Sequence, residues 1–137
     1  MNYIKYDVTP NTKPRATRAD KWKQRPPVMR YRAYADELRR LGVEVSPGCH
    51  HLVFVLPMPK SWSKKKKAAH LYQWHQATPD RDNLDKAVLD AVFKHKEGGD
   101  QHVYDGRITK IWGEFGALLV GEIAPPPMAE IITAIES

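Results

Sequence analysis

The chain has 137 residues, 42% of them hydrophobic and 28% charged, a balance that fits one globular domain and argues against disorder. No apolar run reaches the ~18 residues of a membrane span, and the first residues lack the apolar core of a signal peptide. Cys49 is the single cysteine, which excludes an internal disulfide and fits a reducing, cytoplasmic setting.

The net charge of +6 points toward a nucleic-acid partner. Lysine and arginine crowd residues 13–40 and 60–67, whereas carboxylates crowd residues 80–105. Cations around an acidic pocket suit a metal nuclease, with the cations holding phosphates and the carboxylates holding the ion.

In chain order, residues 2–8 alternate and predict a strand. Residues 9–27 are rich in proline and basic residues and read as a loop. Tyr31, Tyr34, Ala35, Leu38 and Leu41 recur at helical spacing, predicting a helix over 28–41 that Gly42 closes. His51–Leu56 reads as a buried strand ended by Pro57 and Pro59. Ser63, followed by four lysines, caps a short helix. A helix follows over Asn83–Lys94, starting near Asp82. Strands are expected at Val103–Tyr104, Ile108–Phe115 and Ala117–Ile123, with turns at Asp105-Gly106 and Gly116. Pro125–Pro127 stop the sheet, and Met128–Ile135 suggest a last helix. The order implies an α+β fold with one mixed sheet.

The chemistry concentrates between Pro79 and Asp90. Extended chain around Asp80 would aim the Asp80 and Asp82 carboxylates the same way, with Lys86 one helical turn beyond Asp82. Converging carboxylates repel each other, and a divalent cation removes that penalty. Magnesium takes oxygen ligands and keeps several waters, so two or three carboxylates suffice. Structural readings stay open beside this one. Asp82 serves as an N-cap and Asp85 as a first-turn acid, Asp105 as a hairpin turn residue, and Asp90 as the intrahelical partner of Lys86. The helix is apolar on two sides, with Leu84, Ala87, Val88 and Ala91 on one and Leu89 and Phe93 on the other. Such a helix is either deeply buried or meets a second subunit, and the second is the expectation here.

At these residues the chain resembles the RusA family of Holliday junction resolvases, especially its phage-encoded branch. The pattern Pro-Asp-x-Asp-Asn-Leu-x-Lys-x-x-x-Asp-Ala is met in full from Pro79 to Ala91. Tyr104-Asp105-Gly106-Arg107-Ile108 falls where the family carries an acidic turn, with Tyr104 replacing the first of two aspartates. Lys13 to Arg18 is similar to the family's basic N-terminal segment, and Pro57 to Lys67 to a strand end with a basic helix. The resemblance spans roughly residues 2–123. It implies a small homodimeric α+β domain that makes paired nicks in four-way junctions with Mg²⁺, for which Mn²⁺ substitutes. It also implies Asp80, Asp82 and Asp105 as metal ligands and Lys86 at the scissile phosphate, and it calls for no small-molecule cofactor and no membrane.

The phosphate contacts expected from the basic segments are Lys13, Arg15, Arg18, Lys60, Lys64, Lys65, Lys66, Lys67 and His75. Trp22, Trp62 and Trp74 lie near basic residues and either stack on unpaired bases or pack in the core. His50 and His51 read as strand residues. Two other functions compete with the resolvase: a branched-DNA-binding protein without catalysis, kept open by Tyr104, and a restriction-type nuclease. The latter wants an acid, any residue, then lysine, and Asp105-Gly106-Arg107 supplies arginine instead.

Overall fold

The computed structural model describes residues 2–14, 25–94, 96 and 99–137. Its elements are β1 (Tyr3–Tyr6), α1 (Pro26–Arg40), β2 (Cys49–Pro57), α2 (Lys64–His70), α3 (Arg81–Phe93), β3 (Asp105–Gly113), β4 (Ala117–Gly121) and α4 (Met128–Glu136). A 3-10 turn at Gly99–His102 precedes β3. The four strands form one mixed sheet in the order β1-β4-β2-β3. β2 runs parallel to β3 and antiparallel to β4, as the α+β reading requires.

β2 sits between two partners and is almost wholly buried, which explains its unbroken apolar run. Leu52, Phe54 and Leu56 point into a core shared with Leu38 of α1 and with Leu84, Ala87 and Val88 of α3. Burying each of the leucine, valine and phenylalanine side chains contributes roughly 1.5–3 kcal/mol. In the other direction His51 is held at both ring nitrogens, by the Tyr3 hydroxyl and by Thr109 Oγ1, each at 2.8 Å. Gly113 closes β3 where any side chain would collide with Val55.

Four expectations change. α1 begins at Pro26, because proline is tolerated in a helix's first turn, where its missing N–H has no partner to lose. Val103–Tyr104 is not a strand; the Tyr104 N–H donates instead to the Gly48 carbonyl at 3.1 Å. Asp105-Gly106 is not a turn but the start of β3, paired with Cys49 and His50. Leu89 and Phe93 are buried within the chain itself, so α3 is apolar on two sides because it is a core helix, and those residues offer nothing to a second subunit.

Candidate active site

The chain between α2 and α3 runs back along the free edge of β3. Tyr72 N–H donates to the Trp112 carbonyl (2.9 Å), Trp112 N–H to Gln73 (3.0 Å) and His75 N–H to Lys110 (3.0 Å). The Lys110 ammonium then donates to the carbonyls of Ala77 (2.6 Å) and Pro79 (2.8 Å), and so ties down the residues just before α3. The Thr78–Pro79 peptide is cis.

Asp80 is the N-cap of α3, with extended backbone at φ −68° and ψ 144°. Its carbonyl accepts from Leu84 N–H, but its side chain makes no capping bond. The capping role therefore falls to Asp80 rather than Asp82, and the Asp80 carboxylate is left over from it. Asp82 lies in the first helical turn and is exposed. The two-residue alternation expected for an extended chain does not carry across, because the backbone turns helical between them.

One turn further, the Lys86 ammonium lies 3.0 Å from Asp90 Oδ1 and 3.2 Å from Asp100 Oδ2. The hydrogen bonds it donates to these two carboxylates raise its pKa, so it remains a full cation. Asp90 also receives Lys13 at 2.7 Å. Burial acts to raise the Asp90 pKa, but the hydrogen bonds from Lys13 and Lys86 prevail and hold it below the usual carboxylate range. Asp90 is thus the intrahelical partner of Lys86. Asp85 is different: one buried oxygen has no hydrogen-bond partner among the described residues. Burial pushes its pKa up, with the nearby His50 opposing.

Asp105 begins β3, and its Oδ2 lies 3.3 Å from the Cys49 thiol. Burial first, and then Asp105, push that thiol's pKa up, so it stays protonated. Asp105 and Arg81, the residue between Asp80 and Asp82, line one open hollow of about 530 Å³ with Arg107, Ile108, Ile123 and Pro126. The α3 start and the β3 start therefore face a common space. Among the described residues, however, no three acidic, histidine or cysteine side chains converge closely enough to hold a metal ion. The expected meeting of Asp80, Asp82 and Asp105 at one point is not found.

The expected DNA contacts divide. Lys60, Lys64, Lys65 and Lys66 are exposed and Lys67 is half-buried; Ser63 caps their helix by accepting from Lys66 N–H at 3.2 Å. Lys13 is engaged with Asp90. Arg15, Arg18 and Trp22 lie outside the described residues. His75 corrects the expectation: it is buried, its ring centroid 4.0 Å from that of Trp112. Burial, and then Lys110, lower its pKa, so it is neutral at pH 7 and presents no surface cation. Trp62 packs against His70 and Trp112 beneath Lys66, whereas Trp74 is 69% exposed. Tyr104 is also exposed, its ring against Gly48. Lys110, Asp100, Cys49 and Arg81 were missed from the sequence. Only Arg81, set between two acids, carried a local signal.

A hollow lined by Asp105 and by the two arginines Arg81 and Arg107, in a small α+β chain, suits a protein that binds phosphate esters. The family model of endodeoxyribonuclease RusA matches residues 5–120, and the chain belongs to that family, whose members are endonucleases that resolve Holliday junctions. No curated protein matches the chain.

Proposed function

We propose that this RusA-family protein hydrolyses phosphodiester bonds in four-way junctions by paired nicks, acting as a homodimer with Mg²⁺. The observation that supports the reading best is the hollow shared by Arg81 and Asp105, with Asp80, the residue before Arg81, making no side-chain capping bond. Asp80, Asp82 and Asp105 supply hard oxygen donors, the kind Mg²⁺ prefers, although in the free chain they are not gathered into a ligand set. A bound Mg²⁺ would supply charge for the phosphate oxygens and an acidified water. In this reading Arg81 and Arg107 draw the phosphate into the hollow, and Lys86, kept cationic by Asp90 and Asp100, meets the scissile phosphate.

The test is a synthetic four-way junction. Nicking with Mg²⁺ or Mn²⁺ but not with EDTA, lost in Asp82→Asn while junction binding persists, is the expected outcome. Metal-independent cutting overturns the proposal. Tyr104 in place of an acid favours a second reading, a branched-DNA-binding protein without catalysis. Junction binding that survives EDTA, with no cleavage at any divalent metal, selects it. Light scattering on the free protein reads the dimer directly.

A further inference from the structure

A groove of about 610 Å³ runs between α1 and α3, lined by Lys13, Tyr31, Arg32, Arg39, Asp90 and Lys94 among others. It is distinct from the hollow at Asp105, which shares none of these residues. Four of its walls are cationic. Arg39 is engaged with Asp36 at 3.0 Å and donates to the Ala91 carbonyl at 3.3 Å. Lys13 is engaged with Asp90. Arg32 and Lys94 are exposed and have no carboxylate partner among the described residues. With Asp36 and Asp90 the only acids lining the groove among the described residues, those residues leave it two positive charges in excess.

We propose that this groove is a second phosphate-binding site, which grips the duplex arm beside the cut. The proposal rests on the endonuclease reading above, and two observations tie the groove to it. The first is placement on a single rigid helix. Asp90 and Lys94 lie eight and twelve residues beyond Asp82 on or at the end of α3, about 12 and 18 Å along the axis at 1.5 Å per residue. Duplex DNA rises ~3.4 Å per nucleotide, so the groove meets backbone roughly four or five steps from a phosphate at the helix start. The second is a shared carboxylate. Asp90 bonds Lys13 on the groove side through Oδ2 and Lys86 on the site side through Oδ1, so the two regions form one charged network. An incoming phosphate finds Arg32 and Lys94 without a carboxylate partner among the described residues and competes with Asp90 for Lys13.

The experiment is fluorescence-anisotropy binding of a synthetic four-way junction in Ca²⁺ across a salt series, with wild type and Arg32→Ala/Lys94→Ala. Both side chains are exposed, and circular dichroism checks that the double variant folds. Each lost phosphate contact lowers the steepness of log Kd against log salt by about 0.9. The expected result is a slope shallower by about 2, weaker binding at low salt, and an unchanged single-turnover cutting rate at saturating protein. An unchanged slope in a variant that is folded, and whose wild type binds and cuts the junction, overturns the groove proposal alone. Wild type that neither binds nor cuts branched DNA overturns the function reading instead.

Discussion

Lys110 is the residue whose role is least visible in the sequence and most explicit in the structure. Its ammonium reaches the carbonyls of Ala77 and Pro79, and it thereby fixes the approach to Asp80. Hydrogen bonds from a charged donor contribute about 1.5–3 kcal/mol each when no water replaces them, and partial exposure here reduces that. Lys110→Met is expected to lower the unfolding free energy by about 1–3 kcal/mol in urea titration, and to slow junction cutting more than it weakens junction binding. Two neighbouring aspartates make a contrasting pair. Asp90 is depressed below its ordinary 3.8, against its burial, by Lys13 and Lys86; its stabilisation is present above that pH and lost as pH falls through the lower folded value. Asp85 is raised above 3.8 by burial, so its ionised form is a liability at neutral pH that vanishes once pH drops below its ordinary value. Melting curves between pH 2 and 8 should show Asp90→Asn destabilised and Asp85→Asn stabilised at pH 7, with both differences shrinking below about pH 4. The opposite order at pH 7 would contradict these environments.

Among the elements, α3 joins stability to chemistry, since it carries Asp82 and Lys86 on its outside and Leu84 and Val88, both fully buried, on its inside. Leu84→Ala is expected to lose about 2–5 kcal/mol by chemical denaturation, the cavity opening directly beneath the acidic helix start. This helix was legible in the sequence because its apolar residues recur at helical spacing. The second apolar side at Leu89 and Phe93 was legible as well, but its meaning was not. Whether a face meets the chain's own core or another molecule depends on neighbours distant in sequence, here strand β2 and helix α1. Asp105 failed for the same reason. Asp-Gly is a strong local turn signal, yet the parallel pairing with Cys49 and His50 overrode it. The pairing of Lys86 with Asp90 could be read from a four-residue spacing. The bond from Lys110 to Pro79 could not, because nothing local links residues 31 positions apart.

At the scale of the molecule, α4 exposes every residue, including Met128, Ile131, Ile132 and Ile135, and it lies beyond the stretch matched to the family. Removing residues 128–137 is expected to change the unfolding free energy by less than about 0.5 kcal/mol, the usual bound for surface changes; a larger loss in denaturant titration would show that α4 packs on something. Strands β2 and β3 carry a different consequence. They pair in register over nine residues, from Cys49 beside Asp105 at one end to Pro57 beside Gly113 at the other. Eight intervals at about 3.3 Å make a stiff rod of roughly 26 Å. Asp105 stands at one tip, and the lysine helix follows a few residues past the other. A rod of that length matches seven or eight base steps of duplex rise, so under the proposed function it would act as a fixed caliper: a backbone held by the lysine tip could not slide closer to the acidic tip without bending.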